Sequence, residues 1–447
     1  MRAVSETGPI FPRTIAAFIG ESLMRYVRGL RWYILGLIFT VTCINLVDRC
    51  SVGLLFTQFG VELGMTKQQY SLACAILLFA YTVSQSVFGY IFDRFGLRVG
   101  YSIAITLWCV AAMAHSLIAG IGGFLLCSFL LGFGEAGNWP GAAKVIAEWF
   151  PVRERAFGMA VFNAGSSIGG VLGPLIVAGW LGPILGWRLT FLVIGSLGFV
   201  WLFVWLKAYH PVQIHPNLSP SETRYIVGDS VVVNSGRIAP SFRTLLLFRK
   251  TWAILFARFL VDPIWWFYML WLPLYLRDVH GLNLQQIGFM QWVPYFCAAV
   301  GSLTGGWLSG HLIKSGQTVN AARKTVIGVG ACLMPVGILA AHISNATAAV
   351  VLISIVLFGF QMWISNVQTL PSDCFPEVAV GSVAGLGGSA AGISSLLFNV
   401  GAGWMVTHYG YELILTMSGL LAPVGGAILL MLIGRIEQVT VSAKAQM

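Results

Sequence analysis

The chain has 447 residues, of which 57% are hydrophobic and only 9% are charged. A soluble domain carries roughly 25% charged residues, so this composition excludes a soluble fold and indicates an integral membrane protein surrounded by lipid. The formal net charge of +10 does not indicate nucleic-acid binding, because the basic residues lie in short segments between apolar runs. The eight cysteines show no metal-ligand spacing and are interpreted as reduced packing residues.

Twelve apolar stretches are each long enough to cross a bilayer, which takes about 20 residues. Residues 1–31 carry several arginines and are predicted to form a cytoplasmic arm, because no cleavable signal peptide is evident. The longest polar segment, 209–251, separates six predicted helices from six others. The predicted helices are 32–56, 71–92, 99–119, 121–143, 157–181, 188–208, 252–276, 286–311, 323–343, 346–370, 381–406 and 411–434.

The 26 Lys and Arg residues are unevenly distributed between the two sides of the predicted bundle. Lys67, Arg188 and Arg277 fall on one side, and Arg49 and Arg258 lie inside helices. All the others fall on the side of both termini. Because cytoplasmic loops carry an excess of Lys and Arg, the termini and the central loop are predicted to be cytoplasmic. The predicted location is the inner or plasma membrane, with multiple crossings.

Two short motifs recur about half a chain apart. Glu148–Pro151 reads EWFP, Asp373–Pro376 reads DCFP, and each precedes a helix rich in small residues. Two six-helix halves related by duplication explain the recurrence. The predicted organisation is an N-terminal half at 32–208, a cytoplasmic central loop at 209–251, a C-terminal half at 252–434 and a cytoplasmic tail at 435–447.

Five charged side chains lie deep inside predicted helices, away from the helix ends: Asp48, Arg49, Glu135, Arg258 and Asp262. Each costs about 2.5–3.5 kcal/mol on insertion scales, so such residues usually face a cavity and serve function. Asp48 and Glu135 are predicted to load and release a proton. The planar fork of Arg49 is predicted to bind a substrate carboxylate, although it could instead only neutralise Glu135. Arg258 and Asp262, four residues apart, are predicted to pair in a structural or gating role.

Polar and aromatic residues within the helices suit the recognition of a sugar acid, which needs hydrogen-bond partners and an aromatic wall. Hydrogen bonding between helices is the alternative role for any one of them. The predicted substrate contacts, besides Arg49, are Tyr81, Gln85, Asn163, Trp266, Tyr268 and Asn366.

The segment 89–100 is predicted to be a loop between the second and third helices. Gly89 permits close approach of helices, Asp93 can accept hydrogen bonds, and Arg94 and Arg98 hold the cytoplasmic side. The spacing of these four residues resembles the signature loop of the major facilitator superfamily. The resemblance implies a gating role for the segment.

Further motifs indicate which branch of the superfamily the chain resembles. Asn45–Arg49 reads NLVDR, Gly134–Pro140 reads GEAGNWP, and DPIWWFYMLWLP lies in the seventh helix. These segments resemble the hexuronate and sugar-acid branch of the anion:cation symporter family, over residues of about 30–430. The resemblance implies an all-α integral membrane protein of the major facilitator fold, with twelve transmembrane helices in two six-helix halves. It also implies a central cavity, no cofactor and function as a monomer.

Three positions depart from the pattern of that branch. Leu46 stands where the family has Tyr, Ser128 where it usually has Arg, and Leu274 where a Lys is common. Two cavity cations are therefore expected to be missing. A second substrate carboxylate would then lack a partner, which predicts a preference for monocarboxylates over dicarboxylates.

The functional prediction is proton-coupled symport of a hexuronate-like sugar acid or a related organic anion by alternating access. The expected partners are a small organic anion, a proton and membrane lipid. Alternatives are a non-sugar carboxylate as substrate, Na⁺ as the coupling ion, and a membrane sensor that does not transport. An enzyme is not predicted, because the GxGxxG match at Gly132–Gly137 and the GxSxG match at Gly165–Gly169 lie inside predicted helices.

Overall fold

A computed structural model describes residues 26–228, 240–282 and 284–439. Most of the predicted arm 1–31, part of the central loop 209–251 and part of the tail 435–447 lie outside the described residues. Within them the chain is helical and contains no strand. In chain order the helices are α1 (Leu30–Glu62), α2 (Lys67–Ala114), α3 (Ile121–Glu135), α4 (Asn138–Trp149), α5 (Val152–Ile176), α6 (Gly182–Ala208), α7 (Pro220–Val227), α8 (Phe242–Leu246), α9 (Arg249–Asp278), α10 (Leu284–Lys314), α11 (Val319–Leu333), α12 (Gly337–Ala340), α13 (Ala346–Val367), α14 (Leu370–Cys374), α15 (Glu377–Tyr409) and α16 (Tyr411–Ile433).

Nine stretches of the described residues are long and apolar enough to cross a membrane. Two of them, Gln68–Leu117 and Val152–Ala208, contain 50 and 57 residues, enough for two crossings each. Helix α10 adds a further 31-residue helix. The described part of the chain therefore makes twelve crossings, which confirms the predicted twelve-helix membrane fold.

Single glycines make two of the turns between neighbouring crossings. Gly96 interrupts α2 with φ 80°, and Gly186 interrupts α6 with φ 70°. A residue without a Cβ adopts this left-handed conformation at little steric cost, so one residue can reverse the chain. The prediction of a loop over 89–100 is therefore wrong, because the segment is helical on both sides of Gly96.

Each half of the chain packs around its own apolar core. One cluster of buried side chains extends from Leu30 to Ile226, and a second extends from Leu245 to Ile436. The halves meet where α2 contacts α15 and where α5 contacts α10. Gly89 shows how close this contact is, since a Cβ added there would lie 2.2 Å from the carbonyl oxygen of Gly381.

Both described ends of the chain lie at one face of the bundle. Arg31, at the start of α1, pairs with Glu154 at the start of α5 at 3.2 Å. Arg323, at the start of α11, donates to the carbonyl of Val152 at 2.8 Å. Val439, near the end of the described chain, donates to the carbonyl of Cys374 at the end of α14, at 2.8 Å. We call this side the termini face, and the other side the opposite face.

Candidate functional site: a central cavity

A cavity of about 290 Å³ lies between the two halves. The N-terminal half contributes residues of α1, α2, α4 and α5 to its wall. The C-terminal half contributes residues of α9, α10, α13 and α15, together with Gln368 between α13 and α14. Its volume is near the lower end of the range for small-molecule sites. Of the predicted substrate contacts, the cavity wall includes Arg49, Tyr81, Gln85, Asn163 and Trp266.

Arg49 is the cation of the N-terminal wall. Its Nη2 and Nε atoms lie 2.8 and 2.9 Å from the same oxygen of Glu135, Oε2. Glu135 is fully buried, and no described residue forms a hydrogen bond with its other oxygen, Oε1. The guanidinium lies 4.6 Å from the ring centre of Tyr81 and 5.9 Å from that of Trp139. Aromatic faces therefore flank the cation on the cavity side.

Asp48 precedes Arg49 but is separated from the cavity. It is 3% exposed and accepts a hydrogen bond from the indole nitrogen of Trp108 in α2. The residues that line the cavity do not include it. The two predicted proton-coupling carboxylates thus differ in position, since Glu135 contacts a cavity residue and Asp48 lies behind the wall.

Arg258 and Asp262 form the charged part of the C-terminal wall. The Nε atom of Arg258 lies 2.6 Å from Oδ2 of Asp262, one helical turn away on α9. Both residues line the cavity, and Oδ1 of Asp262 is buried without a hydrogen-bond partner in the part of the chain that the structure describes. Beside this pair, Trp265 stacks on Phe360 with ring centres 5.8 Å apart.

Two of the predicted substrate contacts lie outside the cavity wall. Tyr268 is 1% exposed and belongs to the apolar core of the C-terminal half. Asn366 is fully buried and donates to the carbonyl of Gly305 in α10 at 3.2 Å. Both side chains pack helices together, so the prediction that they contact a ligand corresponds to no lining position in this structure.

Polar contacts between the halves form the floor of the cavity on the side of the termini face. Asn163 of α5 donates to Gln368, which follows α13, at 2.7 Å. Gln85 of α2 packs against Gly388 of α15. Gln368, with Trp139 and Arg258, also lines a small void of about 10 Å³, and all three line the main cavity as well. These side chains separate the two spaces.

The predicted signature segment joins the two halves between this floor and the termini face. Asp93 accepts from Lys144 at 2.8 Å and from the backbone N–H groups of Gly381 and Ser382 at 3.0 and 2.6 Å. Arg98 donates to the carbonyl of Leu206. Arg94 is exposed. The Asp93 contacts tie α2 to α15, and we call them the first lock.

A second set of contacts ties the halves at the start of α5. Asp373 pairs with the fully buried Arg323 at 2.9 Å and with Arg155 of the other half at 3.6 Å. Arg155 also donates to the carbonyl of Ser372 at 2.8 Å. With the bond from Arg323 to Val152, these contacts form the second lock. Both locks close the cavity toward the termini face.

A family model described as Major Facilitator Superfamily matches residues 37–398. The chain belongs to the major facilitator superfamily. Its arrangement is similar to that of the proton:xylose symporter XylE bound to 6-bromo-6-deoxy-D-glucose, with a TM-score of 0.73 over 92% of this chain and 98% of that one. The two sequences are 14% identical, so this likeness shows the fold alone.

Curated relatives within the superfamily are sugar-acid transporters. The chain is 32% identical to the hexuronate transporter of Escherichia coli K12 over 392 residues, which are 87% of this chain and 90% of that protein. It is 33% identical to the galacturonate transporter of Dickeya chrysanthemi over 312 residues, 69% of this chain and 90% of that protein. These relatives confirm the predicted resemblance to the sugar-acid branch. The chain is accordingly a multi-pass membrane transporter and not an enzyme.

Of the three positions that depart from the branch pattern, one lines the cavity in this structure. Leu46 lines it, but Ser128 and Leu274 do not. Ser128 is fully buried two turns before Glu135, and Leu274 packs against the C-terminal core three turns after Asp262. The expectation that two cations are missing from the cavity stays a prediction, because the side chains of Ser128 and Leu274 do not line its wall in this structure.

Several residues of the site were not predicted from the sequence. The cavity wall also includes Trp139, Tyr295, Phe360 and Gln368. The locks depend on Lys144 in the middle of α4, and on Arg155 and Arg323 near the starts of α5 and α11. The sequence does contain one signal for the second lock. The motif EWFP recurs as DCFP, which draws attention to Asp373 as an acidic residue that would need basic partners.

Proposed function

We propose that this transporter imports a hexuronate-like sugar acid together with protons. The observation that carries the proposal is the Arg49–Glu135 pair at the wall of the cavity. It combines a group that binds an anion with a group that can carry a proton. The hexuronate and galacturonate transporters among its relatives support the choice of substrate class.

The termini face is proposed to be cytoplasmic. The excess of Lys and Arg on the side of the termini supports this orientation. Both locks then lie on the cytoplasmic side, and the cavity receives its substrate from the opposite face. Transport to the cytoplasm requires both locks to open while contacts form above the cavity, as alternating access demands. The predicted domain boundaries at 208 and 252 remain part of this proposal.

Arg49 is proposed to anchor the substrate carboxylate. A guanidinium presents parallel N–H donors that match the two oxygens of a carboxylate. Arg49 is 15% exposed at its side chain, whereas its partner Glu135 is not exposed. Tyr81 and Trp139 flank the guanidinium and offer surfaces to the apolar face of a sugar ring.

Coupling is proposed to arise because substrate and Glu135 compete for Arg49. When the substrate carboxylate takes the guanidinium, Glu135 is left buried beside an anion. An unpaired buried ion costs several kcal/mol, so protonation of Glu135 accompanies binding. Asp48, which keeps its Trp108 partner, is the candidate for a second proton site. Release of the substrate on the cytoplasmic side restores the pair and releases the proton.

The test is uptake of radiolabelled D-galacturonate by full-length protein in liposomes under an imposed, inwardly directed proton gradient. Accumulation that disappears when an ionophore collapses the gradient is the expected result. Glu412→Gln, an acid-to-amide change at the exposed end of α16, is the matched control and should accumulate galacturonate like the wild type.

Other outcomes distinguish the alternatives. Accumulation driven by a Na⁺ gradient but not by a proton gradient would contradict proton coupling. Binding of galacturonate without uptake under any gradient would favour a sensor. Uptake of non-sugar carboxylates in preference to all sugar acids would contradict the substrate class while leaving transport intact.

A further inference from the structure

The Arg258–Asp262 pair gives the cavity a second polar end, on the wall that the C-terminal half contributes. Both residues lie on α9 and line the cavity. Arg49 and Glu135 instead lie on α1 and α3, in the other half of the molecule. A ligand anchored at Arg49 and long enough to reach the wall of the other half contacts Arg258 and Asp262.

Asp262 has an unused hydrogen-bonding oxygen at this end. Its Oδ2 accepts from Arg258 at 2.6 Å, while its Oδ1 is buried and has no hydrogen-bond partner among the described residues. The residue as a whole is 6% exposed. An ionised carboxylate can only accept hydrogen bonds, and a buried acceptor left without a donor is unfavourable. The site is therefore completed by a ligand that brings a donor to Asp262.

We propose that Asp262 binds the hydroxyl groups at the end of the substrate remote from its carboxylate, and thereby selects uronates over aldarates. This inference rests on the proposed function. A uronate anchored at Arg49 presents hydroxyl donors to Oδ1 of Asp262. An aldarate presents a second carboxylate, which has no donor to offer and carries the same charge as Asp262.

The charge of Arg258 is balanced by that of Asp262, so the preference rests on the donor that Oδ1 of Asp262 lacks within the described part of the chain. The Nε contact of Arg258 to Asp262 joins two residues one turn apart on a single helix, so rigid rocking of the halves leaves the pair together. The net charge of the pair is zero, so a second substrate carboxylate gains no net cation there. Selection by Asp262 does not depend on Ser128 and Leu274, which do not line the cavity.

The experiment is calorimetric titration of the full-length protein in detergent with D-galacturonate and with galactarate, at a pH where both acids are fully ionised. The wild type should bind galacturonate at least tenfold more tightly, a difference of about 1.4 kcal/mol. Asp262→Asn should weaken the binding of galacturonate and make the affinities for galacturonate and galactarate equal. The reason is that the amide offers a hydrogen-bond donor and removes the negative charge. Glu412→Gln, the same chemical change outside the cavity, should leave the ratio unchanged.

A second measurement needs no variant, in case Asp262→Asn does not fold. Uronates that lack the hydroxyls farthest from the carboxylate should bind the wild type at least tenfold more weakly than galacturonate. Equal binding of these analogues, equal binding of galactarate by the wild type, or an unchanged ratio in folded Asp262→Asn would each overturn the inference. If no sugar acid binds the wild type, the proposed function fails and the inference fails with it.

Discussion

Replacing Arg49 with lysine keeps the positive charge in the cavity but removes the planar fork. In the structure the guanidinium uses two nitrogens, Nε and Nη2, within 2.9 Å of Glu135, and lies 4.6 Å from the ring of Tyr81. A lysine ammonium lacks the planar pair of parallel donors, so it does not reproduce both contacts in the same geometry. Loss of one charge-assisted hydrogen bond costs about 1.5–3 kcal/mol. We therefore expect Arg49→Lys to weaken sugar-acid binding by roughly 10- to 150-fold, at about 1.4 kcal/mol per decade.

The assay is a calorimetric Kd for D-galacturonate on purified wild type and Arg49→Lys, with the melting temperature of each ligand-free protein measured alongside. Arg188→Lys is the matched control, because Arg188 is a half-exposed side chain paired with Glu62. It should leave the Kd unchanged. An Arg49→Lys protein that melts like the wild type and binds galacturonate equally well would refute the anchoring role. Arg49 would then serve only to neutralise Glu135.

Three further predictions follow from contacts in the structure. Glu135→Gln is expected to abolish proton-driven uptake while counterflow exchange persists, since an amide cannot cycle a proton; full accumulation in liposomes would contradict this. Gly89→Ala places a Cβ 2.2 Å from a carbonyl oxygen of α15, whereas the Cβ of Gly122→Ala meets no atom of the described residues within 4 Å. Spin-label distances across the termini face should therefore increase in the first variant only. Hydrogen bonds from Trp187 and Arg188 lower the pKa of Glu62, so its stabilising effect is present at neutral pH and disappears as the pH falls through that lowered pKa. Glu62→Gln should accordingly melt below the wild type at neutral pH and level with it in acid.

The membrane crossings could be predicted because lipid selects for long apolar runs, whatever their neighbours. The helix boundaries were harder to predict from the sequence. The predicted first helix ends at 56, whereas α1 continues to Glu62. Gly96 and Gly186 reverse the chain with one residue each, so helices that the sequence separates by a loop follow each other directly. A polar segment reads as a loop in the sequence, but at a membrane surface it can equally be the hydrated end of a helix.

The composition of the cavity was only partly predictable, because a buried polar residue can face a ligand or a neighbouring helix. Asn163 and Asn366 illustrate this ambiguity. Both are asparagines in apolar helices, but the first lines the cavity and contacts Gln368, whereas the second bonds to the backbone of α10. An all-round apolar helix has no polar face by which its orientation could be read. Only the packing of twelve helices decides which side chains converge.

The two ion pairs of the cavity differ in a way that assigns them different tasks. Arg49 and Glu135 belong to separate helices, α1 and α3, so their contact depends on tertiary packing and on what else the guanidinium binds. Arg258 and Asp262 belong to one helix, and their contact is built into its geometry. A pair between helices can exchange a partner when an anion arrives, whereas a pair within a helix keeps its partner through the same event. In the proposed mechanism, the ligand-dependent proton step is therefore assigned to the N-terminal wall, and recognition of the far end of the ligand is assigned to the C-terminal wall.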